Sequence, residues 1–257
     1  VDRPAPHVRL AERVDLSLGW KRMRALRILL ILTVVLGGLF VAADRLAVNL
    51  AESEAASKIK SSQGLTGDPQ VSIEGFPFLT QVMGKELDEV EVTMDGMTAE
   101  ANGQSVRLTT MTAQLRDVAL ENNFSSATAA TASGAASIEY ADLSKLAEEG
   151  IIIGYGGKDD AGKPQVKVTA SLELPTGQSF ERSVVSTVSV AGGDTIKLRA
   201  EEIATDGLPG VEQLVRSRID MERKISGLPR GLDLESVEPT EQGIDITFKG
   251  SRVALAG

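Results

Sequence analysis

The sequence predicts an α+β fold: antiparallel amphipathic strands and a few short helices, preceded by one N-terminal transmembrane helix. Three observations point there. Residues 28–43 (ILLILTVVLGGLFVAA) contain no charged side chain, and Lys21, Arg22, Arg24 and Arg27 stand just ahead of them. Farther along, apolar and polar residues alternate over many successive segments, the pattern of sheets with one face buried and one wet. Beyond residue 63 only two stretches, near 140–147 and 209–226, have helical spacing.

Residues 1–24, with Pro4 and Pro6 in polar surroundings, read as a cytoplasmic tail. Residues 25–43 read as the membrane segment. The uncharged run reaches roughly 24 Å as a helix, short of a hydrocarbon core of about 30 Å. Ala25 and Leu26 lengthen it, and Arg27 can snorkel back to the headgroups. Trp20 suits the near interface, and the basic cluster should keep the N-terminus cytoplasmic and residues 44–257 outside. The segment is either an uncleaved signal anchor of a single-pass membrane protein or a cleavable secretory signal ending at Val41-Ala42-Ala43. Residues 44–63 continue in helical style, with Ala47, Ala51, Ala55 and Ile59 every four residues. They form a stalk or the first helix of the domain, ended by Gly64, Gly67 and Pro69.

The extracytoplasmic domain is expected over 64–257. Val90, Val92 and Met94 alternate with Glu89, Glu91 and Thr93, and Val106 and Leu108 alternate with Arg107 and Thr109. The phase flips at Thr110–Met111 so that Met111, Ala113 and Leu115 stay on the apolar face, which predicts a bulge. Residues 125–137 (SSATAATASGAAS) fit a loose loop as well as a strand of small side chains. Residues 140–147 predict a short helix with Asp142 as N-cap and Gly150 as its stop. Gly154-Tyr155-Gly156-Gly157-Lys158 reads as a turn. Strands at 166–174, 184–190 and 196–200 follow. A helix over about 209–226 carries the stripe Val211, Leu214, Val215 and Ile219, and a last alternation covers Ile244, Ile246 and Phe248.

Composition removes several kinds of chemistry. The first 43 residues carry seven Lys/Arg and three Asp/Glu, whereas the remaining 214 carry 20 and 33, a net charge of −13. A domain so acidic lacks the basic surface that nucleic acid requires. The single histidine, His7, lies in the tail, and there is no cysteine. The domain therefore has no disulfide, no Ser-His-Asp or Cys-His pair and no His/Cys metal site, and no cofactor is implied. Asp159-Asp160 lacks calcium-loop spacing and reads as a solvated turn. Paired carboxylates, as in glycoside hydrolases, are the one enzymatic route left. A solid-cored interaction or sensor domain is the other alternative.

Gly75-Phe76-Pro77-Phe78-Leu79-Thr80-Gln81-Val82 concentrates apolar bulk around a proline in a chain with 4% aromatic residues. Pro77 suits an edge strand or a bend, and the segment is either a core-filling corner or the rim of an apolar cavity. The run GFPFLTQVMGKELDEVEVTMDGM resembles the actinobacterial LmeA-type phospholipid-binding family, and Ile138-Glu139-Tyr140-Ala141-Asp142-Leu143 is similar to that family's second marker. The resemblance spans roughly 40–257. It implies a tubular lipid-binding-like fold, in which a long curved antiparallel sheet wraps one or two helices and holds acyl chains. It implies a non-catalytic, tethered envelope protein that binds phospholipid, with phosphatidylinositol as one candidate, and serves lipid or lipoglycan assembly. By motif position it makes Phe76, Pro77, Phe78, Leu79, Val82, Tyr140, Leu143 and Leu146 the lipid-binding residues.

Overall fold

The computed structural model describes residues 17–63, 67–101, 104–122, 126–147, 150–173, 179–201, 203, 211–225 and 228–256. The chain divides into two units, Val1–Leu46 and Ala47–Gly257. The described part of the first unit is the beginning of helix α1 (Ser17–Gln63). Its large apolar side chains are exposed throughout, Leu26 by 68% and Ile31 by 63%. By length and composition α1 is able to cross a membrane.

The second unit takes up the rest of α1 and two antiparallel sheets. The first sheet has the order β1-β2-β3-β4-β11-β10, from β1 (Gln70–Glu74), β2 (Glu86–Ala101), β3 (Gln104–Glu121), β4 (Ser126–Glu139), β10 (Leu232–Pro239) and β11 (Gly243–Ala256). The second has the order β5-β6-β7-β8-β9, from β5 (Ile151–Lys158), β6 (Pro164–Glu173), β7 (Ser179–Ala191), β8 (Thr195–Ala200) and β9 (Met221–Lys224). Helices α2 (Phe78–Gly84), α3 (Tyr140–Leu146) and α4 (Val211–Ile219) are short. The α+β class holds. The strands are shared between two sheets because α3 turns the chain off the end of β4. Strongly twisted sheets of about ten strands commonly split in this way.

Local differences from the sequence expectations have physical reasons. The small-residue stretch is the strand β4, hydrogen-bonded on both sides by β3 and β11. Residues 154–158 lie in strand β5 instead of a turn, because Gly154, Tyr155 and Lys158 pair with β6, with an irregularity at Gly156 and Gly157 between them. Asp142 does not cap α3. The N-cap position falls to Glu139, whose side chain makes no cap bond, and Asp142 pairs with Lys145 at 2.6 Å inside the helix. Helix α4 stops at Ile219, and the following residues pair with β8 as strand β9. The start expected for that helix, at 209, lies outside the described residues. The flip before Met111 needs no inserted residue. Register between β2 and β3 is unbroken, and Gly96 on one strand and Thr109 on the other absorb the change together. Asp159 does close a turn, accepting hydrogen bonds from the N–H groups of Ala161 (2.9 Å) and Lys163 (2.7 Å).

One face of the six-stranded sheet is apolar, and two different elements cover it. Val48 of α1 packs with Ile73, Phe78, Leu87, Val118 and Ala129, and Ile59 packs with Val92 and Met94. At the other side Leu234, Val237 and Ile246 meet Val188, Val190 and Ile196 of the second sheet. The second sheet buries Val166, Val168, Val184 and Ala200 against Ile219 of α4. Its edge strand β9 is exposed, and charge guards it. Lys224 pairs with Asp194 at 2.8 Å and Lys197 with Glu222 at 2.9 Å, and both carboxylates are held below their usual range first by the hydrogen bond from that lysine.

Candidate functional site

The corner between β1 and β2 is built around Gly75 and Gln81. Gly75 has φ 98, where side chains are disfavoured. A Cβ there would collide with Gln81 Nε2 and lie 2.7 Å from Asp88 Oδ2. The Phe76–Pro77 peptide is cis. Gln81 joins three pieces of backbone. Its Nε2 donates to the Glu74 carbonyl at 3.2 Å, and its Oε1 accepts from the Asp88 N–H at 2.9 Å. Thr80 Oγ1 donates to the Pro77 carbonyl at 2.8 Å, and the Leu120 N–H donates to the Lys85 carbonyl at 2.9 Å. Alternation gave no sign that this segment contains a helix; in α2 the polar side chains of Thr80 and Gln81 satisfy the bend while Phe78, Leu79 and Val82 pack with the core.

The corner residues divide by exposure. Phe78 is buried, at 5%, whereas Phe76 is 57% and Met83 84% exposed. Pro77, Leu79 and Val82 are half-buried. Leu79 and Val82 pack at the margin of the Phe78 cluster, together with Leu115, Leu120, Ala127 and Leu255. These six are apolar and partly buried, and they form part of the margin of the Phe78 cluster. Leu120, Ala127 and Leu255 were missed by motif matching. Their signal was apolar character at the ends of β3, β4 and β11, which became informative only once the register joined them.

Tyr140 and Leu143 stand elsewhere. The Phe78 cluster touches Ala129, and Tyr140 follows Glu139 at the other end of β4. The ten residue steps from Ala129 to Glu139 along the strand span about 33 Å. The two predicted groups are thus at opposite ends of the sheet. Leu143 is half-buried, and the side chain of Leu146 lies outside the described residues. The Tyr140 hydroxyl donates to the Thr240 carbonyl at 2.8 Å. Its phenol is pushed up to about 12, first by burial and then by Tyr155 and Asp245. A neutral phenol favoured by the fold adds stability below pH 10, its ordinary value, and that contribution fades as pH rises through 12. Tyr140→Phe should cost about 1 kcal/mol at neutral pH and flatten the alkaline decline, as followed by melting temperature against pH.

A groove of about 420 Å³ lies across the opposite, polar face of the same sheet, lined by Glu91, Thr112, Gln114, Ser133, Thr247 and Glu235 among others. No lysine or arginine lines it, so it offers no positive charge to a phosphate. Glu91 and Glu235 are both exposed, and Glu235 faces Lys249 at 3.7 Å. A glycosidic general acid needs a desolvated carboxyl, which this groove does not provide. Among the described residues no group of His, Cys, Asp and Glu is placed to hold a metal ion.

A family model described as LmeA-like phospholipid-binding matches residues 42–249. No curated protein and no solved structure matches the chain significantly.

Proposed function

The chain belongs to the LmeA-like phospholipid-binding family, and on that footing we propose that its domain shelters the acyl chains of a phospholipid along the apolar margin beside α2. Helix α1 tethers it to the cell membrane, the domain works outside the cytoplasm, and its task is carriage for envelope lipid or lipoglycan assembly, without catalysis. A phosphatidylinositol-type lipid is one candidate cargo. Phe76, Pro77, Leu79 and Val82 serve the mouth, while Tyr140, Leu143 and Leu146 serve the far end.

The observation that supports this is the set of partly buried apolar side chains, Leu79, Val82, Leu115, Leu120, Ala127 and Leu255, packed against the buried core. Each methylene of a lipid tail transferred onto such a surface contributes about 0.8 kcal/mol, so a few carbons suffice without any charged contact. The acidic exterior keeps the domain from adhering to anionic leaflets by charge.

Leu79→Asp and Leu120→Asp test it. Both positions are half-buried, so the fold should persist. Phospholipid extracted from the purified full chain and weighed by mass spectrometry should fall at least about tenfold, the effect of roughly 1.4 kcal/mol or more. Lipid content equal to that of the unaltered protein would refute the proposal.

A further inference from the structure

We infer that the inner face of the second sheet, beneath α4, is a seat for an ester-linked lipid, with the Ser186 hydroxyl as donor to an ester carbonyl. This rests on the phospholipid binding proposed above and goes beyond it. The margin beside α2 is apolar and cannot tell lipids apart by hydrogen bonding, whereas a buried hydroxyl can. Ser186 alternates along β7 with Val184 and Val188, and the register of β7 with β6 and β8 is unbroken. All three side chains therefore turn to one face, and both valines pack in the cluster of Val166, Val168, Ala200 and Ile219. Val166 and Ala200 stand directly beside Ser186 in the register. Ser186 is 0% exposed, and its Oγ has no hydrogen-bond partner among the described residues.

A buried hydroxyl without an acceptor destabilises a fold, and alanine would occupy the same place without that cost. Native cores seldom keep such a group. What satisfies it is an acceptor, which valine, alanine and isoleucine side chains do not offer. The rest of the ligand must be apolar, because a phosphate or a sugar would bring polar groups that these walls leave unmatched. A fatty acyl ester supplies both parts, one carbonyl and a run of methylenes. Its way in is under α4, whose only buried side chain among those described is Ile219. Side-chain bonds fasten the end of this helix to the end of β8. Arg216 donates to the Ala200 carbonyl at 2.8 Å and to the Glu201 carbonyl at 3.2 Å, and Asp220 accepts from the Ala200 N–H at 2.8 Å. A joint at Ala200 lets the helix swing clear of Ser186, the neighbour of Ala200 in the register.

The full chain in detergent is incubated with equal amounts of diacyl and dialkyl phosphatidylcholine of the same chain length. The dialkyl lipid carries methylenes in place of the ester carbonyls. Retained lipid is identified by native mass spectrometry. The unaltered chain should retain the diacyl lipid about fivefold over the dialkyl one, and Ser186→Ala should retain the two alike. Alanine removes only the hydroxyl and should melt no lower than the unaltered protein, so a lost preference is not lost folding. Equal retention by the unaltered chain, or a preference that Ser186→Ala leaves unchanged, would overturn the inference. Total lipid lowered by Leu79→Asp in the same experiment would then still uphold the margin beside α2. A preference abolished by Ser186→Ala, alongside undiminished lipid in Leu79→Asp, supports the seat and removes the margin.

Discussion

Replacing Phe78 by alanine is expected to lower the stability of the domain by about 3–5 kcal/mol, the usual range for a buried aromatic ring cut back to a methyl group. The ring is only 5% exposed and belongs to a core cluster drawn from five other elements: Val48 of α1, Ile73 of β1, Leu87 of β2, Val118 of β3 and Ala129 of β4. Close-packed neighbours from so many directions cannot all relax inward, so most of the cavity should persist. For a domain of this size the melting temperature should fall by about 10 °C. Phe76→Ala, two residues away and largely exposed, should stay within about 0.5 kcal/mol of the unaltered protein. Equal effects at the two positions would show that the ring at 78 is not the centre of this cluster. The contrast also bears on how cargo binding is probed. A charge at Phe78 would abolish lipid uptake by unfolding the corner, whereas Leu79 and Leu120, at the margin, report on binding itself.

Much of the sheet architecture was legible because period-two alternation directly records which face is buried. Val166, Val168 and Ala170 alternate in the sequence and are buried in the fold. Legibility failed where the alternation changes phase without punctuation. Leu115 and Val118 both pack in the first core cluster, although they stand three positions apart. Asp117 between them has φ 50, and Arg252 on β11 has φ 51. In the register, Asp88, Asp117, Ala130 and Arg252 stand side by side across β2, β3, β4 and β11. Every strand there switches the side it turns toward the core, so pairing survives while each strand's own pattern breaks. Non-glycine residues seldom adopt such angles, and no residue type marks them in advance. Strand β4 was equally opaque, because Ala, Ser, Thr and Gly give no hydrophobic contrast to read. Its neighbours β3 and β11 supply the register instead. The candidate site shows the same split. The family motif marked the corner of Phe76, Phe78, Leu79 and Val82, but Leu120, Ala127 and Leu255 reach it from separate strands, a juxtaposition that only tertiary pairing creates.

Gly243→Ala should destabilise the domain by about 3 kcal/mol, the upper part of the range for forcing extra atoms into a packed site. A Cβ at this position would collide with the Ile138 carbonyl oxygen and sit 2.9 Å from its carbon and 3.1 Å from the Glu139 Cα. All three obstacles are backbone of β4, so no rotamer change relieves them. Strand β11 lies between β4 and β10, and a shift that clears β4 disturbs the β10 ladder as well. The damage should spread to α3 by a defined route. The Thr240 N–H donates to the Gly243 carbonyl at 2.8 Å, and the Thr240 carbonyl accepts the Tyr140 hydroxyl, also at 2.8 Å. If the turn moves, Tyr140 loses its acceptor and much of its shielding, and its phenol should titrate nearer its ordinary value of 10 than the 12 of the intact fold. Tyrosine absorbance against pH reads that change independently of the melting temperature. Gly154→Ala is the matched control, because an added Cβ there meets nothing within 4 Å. It should leave both measurements where they are, and parity between the two substitutions would mean that backbone crowding at Gly243 does not set the β4–β11 register.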